Sequence, residues 1–277
     1  MTSATANAGD PPIIGLDTNL ARLPFVVLAA AVGGAINSIA GGGTLLTFPA
    51  LIALGIPALV ANATSTVALW PGALGSIWGY RGELSGVRRW AFAWAVPSLL
   101  GGFVGAWLLL RTSASLFEGL VPWLVLGATT LFIVQRPVME RLRARMATQP
   151  EPHDPSAIMP TRTVLLYQFG VGVYGGYFGA GIGILMLAAL GFLGFTNIHR
   201  MNGLKNFGAL CVNAVAAITF AMSSLVNWPV ALAMAVGAVI GGYAGSRMAQ
   251  RVSQLRVRQA IIVIGLASGV WLLAYPF

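Results

Sequence analysis

Apolar residues occupy most of this chain in long runs, at about 24–55, 59–80, 90–110, 117–135, 163–195, 203–226, 229–246 and 259–275. Short segments between the runs hold nearly all the charge. Crossing ~30 Å of hydrocarbon takes a helix of ~20 apolar residues, and nearly every run has that length. The pattern predicts an all-α integral membrane protein. The first 23 residues are polar, with Asp10 and Asp17, and lack the basic start and short apolar core of a cleavable signal. The N-terminus is therefore expected to be retained.

The first and fifth runs are longer than a single crossing requires, and glycines interrupt both. Sliding the chain along itself by 140 positions brings Ala40, Gly41 and Gly43 onto Ala180, Gly181 and Gly183, and Asn62 onto Asn202. The same offset aligns Gly101, Gly102 and Gly105 with Gly241, Gly242 and Gly245. Two halves of four runs each follow: a tail at 1–23, a first transmembrane repeat at 24–136, a linker at 137–162 and a second repeat at 163–277. The linker holds Pro137, Pro150, Pro152, Pro155 and Pro160 beside Glu140, Glu151 and Asp154, a solvated composition that needs no fold of its own.

Charge orients the halves. If all eight runs crossed the membrane, nine Lys/Arg would lie on one side and the other seven of the 16 opposite, a poor positive-inside signature. If the first run of each half instead enters to mid-membrane and returns, only Arg22 and Arg111 are left opposite the other fourteen. The basic loop then precedes the third run in the first half (Arg81, Arg88, Arg89) and follows it in the second (Arg247, Arg251, Arg256, Arg258), the swap that inverted repeats produce. The expectation is two inverted repeats, each with one glycine-broken or re-entrant helix plus three transmembrane helices. The linker is cytoplasmic and both termini are outside, although a spanning first run would displace only Arg22 and so leaves the side of the N-terminus open.

Composition agrees with the pattern: 57% of residues are hydrophobic and only 8% charged, and the mean hydropathy is +0.81. A net charge of +9 could suggest nucleic acid, but the arginines are spread over loops that flank apolar runs and form no single basic face. The one cysteine, Cys211, lies inside an apolar run, forms no intrachain disulfide and reads as packing.

Two constellations carry chemistry. The first is Ala40-Gly41-Gly42-Gly43-Thr44 with its counterpart Gly179-Ala180-Gly181-Ile182-Gly183. Non-helical backbone at membrane depth survives only inside protein or beside water. The helices that restart after each break would aim bare N–H groups and positive dipole ends inward, an anion site made from backbone. Close packing through small residues is the other reading, and the one that fits Gly101, Gly102, Gly105, Gly241, Gly242 and Gly245.

The second constellation sets Asn62-Ala63-Thr64-Ser65-Thr66 against Asn202-Gly203-Leu204-Lys205-Asn206. Amides and hydroxyls coordinate an oxyanion without adding a competing charge. Lys205 adds an ammonium that would cost ~3 kcal/mol or more facing lipid, so it contacts the anion or snorkels to the interface. His199 and Arg200 read as loop residues, Tyr174, Tyr177 and Phe178 as pathway lining or packing, and Trp78, Tyr80, Trp90, Trp228 and Tyr275 as interfacial anchors.

All seven acidic residues fall in loops, tail or linker on this reading, which leaves no carboxylate relay or carboxylate metal site within the membrane. With two histidines outside the apolar cores there is no ligand set for a metal, and no partner that would activate a Ser or Thr nucleophile. Neither an enzyme nor a cofactor is expected.

Three segments, Gly-Gly-Ala-Ile-Asn-Ser-Ile-Ala-Gly-Gly-Gly-Thr (33–44), Ala-Asn-Ala-Thr-Ser-Thr-Val-Ala-Leu-Trp-Pro-Gly (61–72) and Met-Asn-Gly-Leu-Lys-Asn (201–206), stand in the order found in the TauE/SafE family of membrane permeases, the sulfite exporters, which the chain resembles. The resemblance covers nearly the whole chain apart from tail and linker. It implies a multi-pass transporter of the bacterial inner membrane, duplicated in its halves, that moves small and often sulfur-containing anions such as sulfite or organosulfonates. It places functional weight on Asn62, Thr64, Asn202, Lys205 and Asn206.

The resulting expectation is a secondary transporter, export favoured, that binds its anion at Gly41, Gly42, Gly43, Thr44, Asn62, Thr64, Ser65, Gly181, Gly183, Asn202, Lys205 and Asn206. An anion channel, a small-carboxylate transporter and a scaffold without cargo are the rivals. The expected partners are a small anion and the lipid bilayer, with no nucleic acid; oligomeric state is left open, a homodimer included.

Overall fold

The computed structural model describes residues 23–39, 41–79, 81–85, 88–146, 160–193, 195, 197–248 and 254–274. Every regular element among them is a helix: α1 (Leu23–Ile39), α2 (Thr44–Ile52), α3 (Ala58–Gly79), α4 (Arg81–Ser85), α5 (Arg88–Arg111), α6 (Ala114–Met146), α7 (Arg162–Tyr177), α8 (Ile182–Phe192), α9 (Ile198–Ala221), α10 (Trp228–Met248) and α11 (Gln254–Ala274). The expectations for the N-terminal tail, for the stretch 147–159, and for Ala40, Tyr80 and Tyr275 lie outside the described residues.

Side-chain caps start three of the long helices. Asn227 Oδ1 accepts from the Val230 amide at α10, Asn197 Oδ1 from the Arg200 amide at α9 and Ser113 Oγ from the Leu116 amide at α6. His199 and Arg200, expected in a loop, therefore belong to the first turn of α9.

Five segments are long and apolar enough to cross a bilayer: Arg88–Arg111, Ala114–Val134, Arg200–Ala221, Trp228–Met248 and Arg256–Ala274. Of the six full spans expected, α3 is the exception. Its 22 residues would cover ~33 Å, but Asn62, Thr64 and Ser65 lower its hydropathy. All three are buried by neighbouring helices, and a sheltered helix tolerates polar groups that a lipid-facing one does not.

The outer surface is apolar. Phe92, Val96, Leu100, Phe103 and Trp107 are exposed along α5, and Leu232, Val236, Val239, Ile240 and Tyr243 along α10. Such bands suit hydrocarbon and would be a liability in water. Trp78 and Trp228 are exposed, as interfacial anchors should be, but Trp90 is not. It is buried with its ring edge-on to Phe195 at 5.0 Å, because α5 turns that face toward α9 and the hairpin before it.

Inside the bundle, helices meet backbone to backbone. α1 and α10 run side by side in parallel register, with Val27 against Gly237, Ala31 against Gly241 and Ala35 against Gly245. A Cβ at Gly241 would overlap the Ala31 carbonyl oxygen, which is why glycine stands there. The same parallel register joins α5 to α7, where Gly101 lies against Phe169 and Gly172, and Gly105 against Val173 and Tyr177. α3 runs parallel to α10 through Gly72 and Gly75, and α5 parallel to α9 through Trp94 and Gly208, and Gly102 and Val212.

Three acidic expectations change with the fold. Glu83 sits in α4 and Glu118 and Glu140 in α6, not in loops or linker; Glu118 lies just beyond the first turn of its helix. The helix α6 also runs ten residues into the segment read as an unstructured linker. Pro137 cannot donate to Ile133, the carbonyl four residues back. Arg258 of α11 fills the gap, donating from Nη2 to the Ile133 oxygen and from Nε to the Phe132 oxygen, both at 2.8 Å.

Candidate anion site at two helical hairpins

Both glycine breaks reverse the chain. After α1 the backbone turns at Gly41, whose φ of +81° excludes most side chains, and its amide donates to the Ile36 and Asn37 oxygens at 3.2 and 3.0 Å. α2 then folds back along α1, with Thr47 packed on Gly33 and Gly43 on the Gly33 carbonyl. The second hairpin repeats the device. Gly181 also has a φ of +81°, Tyr174 Oη donates to the Ala180 oxygen at 2.7 Å and Tyr167 Oη to the Leu185 oxygen at 3.1 Å. The first bond ties α7 to the turn and the second ties it to α8, its return arm.

The hairpin tips touch. A Cβ added to Gly41 would come within 2.8 Å of Gly183 Cα. Behind the tips, the Phe132 ring covers Gly42 and Ala128 lies near Gly181. The Leu45 and Leu46 amides of α2 are used by the Gly42 and Gly43 oxygens, and the Ile184 amide of α8 by the Gly181 oxygen. The amides of Gly42, Gly43, Ala180, Gly181 and Gly183 meet no carbonyl acceptor among the described residues. They are the bare donors expected where a helix restarts.

Gly41, Gly42, Gly43, Gly181, Gly183, Asn62, Thr64, Ser65, Asn202, Lys205 and Asn206 are all buried, and Thr44 is half-buried. Lys205 reaches from α9 to the end of α1, where Nζ donates to the oxygens of Asn37, Ser38 and Ile39 at 3.4, 3.1 and 3.5 Å. Asn206 Nδ2 donates to the same Ser38 oxygen at 3.4 Å. A cation on the last carbonyls of a helix offsets the negative end of its dipole. Asn62 does the corresponding work at the end of α7, donating from Nδ2 to the Tyr177 oxygen at 3.0 Å.

Ser65 is paired with Thr47, hydroxyl to hydroxyl at 2.7 Å. Thr64 faces elsewhere: its Oγ1 accepts from the Asn227 amide at 3.0 Å and helps to start α10. Three buried oxygens at the hairpins, Asn62 Oδ1, Asn202 Oδ1 and Ser38 Oγ, have no hydrogen-bond partner among the described residues. Phe178 packs edge-on to Phe48 and Tyr177 to Phe117, at 5.5 and 6.0 Å, so these aromatics fill space around the second tip.

Sequence reasoning missed Thr47 and Ser38. Both are hydroxyls within a few residues of a glycine break, and that proximity was the available signal. It also missed a polar group in the wall between α5 and α7, where Gln168 Nε2 donates to Ser98 Oγ at 2.8 Å and Ser98 Oγ to the Trp94 oxygen at 2.7 Å. Among the described residues no cluster of three or more His, Cys, Asp or Glu side chains is placed to hold a metal ion.

The sequence profile described as sulfite exporter TauE/SafE matches residues 26–272. A protein of Sinorhizobium sp. described as probable membrane transporter protein ORF9 is 29% identical over 259 residues, covering 92% of this chain and 93% of its own. A probable membrane transporter protein of Haemophilus influenzae is 25% identical over 251 residues, 90% and 93% of the two chains. The probable membrane transporter protein YfcA of Escherichia coli K12 is 26% identical over 250 residues, 87% and 86% of the two chains. No solved structure matches the chain.

Proposed function

The chain belongs to the sulfite exporter TauE/SafE family and is a multi-pass membrane transporter, and we propose that it moves a small anion, sulfur-containing in the manner of sulfite or an organosulfonate, across the bacterial inner membrane. The observation that carries the proposal is the meeting of two glycine-broken hairpins in the buried centre, with bare amides at the tip of each. N–H groups at a helix start, on the positive end of its dipole, bind oxyanions without a formal counter-charge.

In this reading the amides of Gly42, Gly43, Thr44, Gly181 and Gly183 hold the anion, Gly41 makes the turn, and Asn62 and Asn202 line the sides. Lys205 supplies positive potential from the α1 end, held in place by the carbonyls it caps, and Asn206 shares the Ser38 oxygen with it. Ser65 and Thr64 brace α3 beside the site.

The halves 24–136 and 163–277 act as inverted repeats on either side of it. Support comes from the registers: α3 runs with α10 and α5 with α9, while α9 and α10 are consecutive spans and so run oppositely. The corresponding helices α3 and α9 therefore point in opposite directions. Rocking of one half on the other opens the tips first to one side and then to the other, and the family's description favours export.

Counterflow in proteoliposomes tests the proposal. Vesicles preloaded with unlabelled sulfite are expected to accumulate labelled sulfite transiently above equilibrium. Flux without that overshoot makes the protein a channel, and no saturable sulfite flux at all removes the cargo assignment.

A further inference from the structure

The site proposed above contains acceptors as well as donors, and they restrict what it can take. The bond from Asn62 Nδ2 to the Tyr177 oxygen sets the orientation of that carboxamide, since the flipped amide would oppose two acceptors. Its Oδ1 is thereby turned away from Tyr177 yet stays at the same turn, 1% exposed as a residue and without a donor among the described residues. Asn202, 140 positions on, likewise has a buried Oδ1 that accepts nothing. A carbonyl oxygen left bare at this depth is costly.

An oxyanion with no hydrogen of its own would satisfy the bare amides of the tips and leave both amide oxygens unpaired, facing further negative charge. A ligand that both accepts and donates satisfies the two sets together. We propose, resting on the anion site above, that the cargo is a small oxyanion bearing its own hydrogen-bond donor, either a singly protonated oxyanion or one with a hydroxyl or amine next to the acidic group. Asn62 is then a specificity-determining residue that reads the donor. When the donor is an acidic O–H, the proton crosses on the cargo. This fits hairpin segments that carry no carboxylate of their own, since Glu83 belongs to α4 and Glu118 and Glu140 to α6.

The test compares matched ligands on the purified full-length protein by calorimetry at fixed pH: methanesulfonate against hydroxymethanesulfonate, and acetate against glycolate. Each pair differs in one hydroxyl. The donor-bearing member of at least the sulfonate pair is expected to bind about tenfold tighter or more, as the cost of an unpaired buried acceptor implies, and Asn62→Leu is expected to erase that ratio. The wild-type pair decides the matter even if the variant does not fold. Equal affinities within both pairs overturn the donor requirement and leave the anion site standing, whereas failure of all four anions to bind overturns the site and this inference with it.

Discussion

The last turns of α1 and α7 occupy corresponding places in the two hairpins, and they are finished differently. α1 ends on a buried ammonium, with three carbonyls converging on Lys205 Nζ. α7 ends on a neutral amide, Asn62 Nδ2. The position 140 residues before Lys205 is Ser65, which pairs with Thr47 on its own hairpin and sends nothing across. Position 187, the partner of Thr47, is leucine, and position 188, the partner of Phe48, is alanine. The two halves share glycine turns and an asparagine, yet one hairpin receives Lys205 from the far half and the other only a carboxamide, while Phe48 and Phe178 meet edge-on between them.

The physical lesson concerns stiffness and charge together. A hairpin whose first arm ends on a cation from the opposite half is pinned to that half. One whose first arm ends on a neutral carboxamide has no such charged tie to the opposite half. α7 also has four glycines, Gly170, Gly172, Gly175 and Gly176, where α1 has Gly33 and Gly34. By glycine content the α7 hairpin is the softer of the two, and formal positive charge reaches the tips from one side only.

Removing the pin should have the largest effect. Lys205→Met strips the Ile39 oxygen of its donor and leaves the Asn37 and Ser38 oxygens only the Gly41 amide and Asn206 Nδ2; it is expected to cost about 1–3 kcal/mol of stability and most of the transport, measured by unfolding in detergent and by flux in proteoliposomes. Lys205→Arg keeps the charge and should recover part of the stability. If Lys205→Met unfolds as wild type does, α1 and α7 are equivalent after all and the contrast drawn here is wrong.

The turns themselves give the next test. Gly41 and Gly181 share a φ of +81°, so alanine at either meets a left-handed backbone penalty of about 1–2 kcal/mol. Only at Gly41 does the new methyl also strike backbone, Gly183 Cα at 2.8 Å, while at Gly181 the nearest atoms, of Ala128, are 3.7 Å away. Gly41→Ala should therefore cost clearly more than Gly181→Ala and depress flux where Gly181→Ala largely preserves it. Equal losses would mean that the tips separate in the working protein. Ser65→Ala, which removes one hydroxyl pair on the first hairpin, should cost about 1 kcal/mol and leave anion affinity unchanged in a binding titration.

Much of this contrast could be read before any coordinates. Glycine runs and the placement of arginines predicted both chain reversals, because a helix break and a loop charge each leave a local mark. The destinations of side chains left none. Lys205 was expected to meet an anion or an interface, and its contacts are carbonyls 166–168 positions away in sequence. The continuation of α6 through Pro137 depends on Arg258, 125 positions beyond the freed carbonyl. Trp90 looked like an anchor from its place at a run end, and its burial follows from which face α5 turns inward. In each case the deciding partner sits on another helix, and residue type and spacing carry no information about it.

The smallest expected effect isolates stiffness from charge. Gly170 lies mid-way along α7 on an open face, with nothing within 4 Å of a would-be Cβ, and the position 140 residues earlier is Ala30. Gly170→Ala makes α7 match α1 there, touches no neighbour, and removes the entropy that glycine retains in the unfolded chain. Helix propensity alone predicts a gain of up to about 1 kcal/mol, seen as a small rise in melting temperature and as slower amide exchange along α7. Transport reports on something different. If softness in α7 serves the opening of the second hairpin, the stiffened variant is more stable and slower at counterflow with its anion affinity unchanged. A variant that is stabilised and fully as fast would show that α7 moves as a rigid arm, and would confine the difference between the hairpins to their caps.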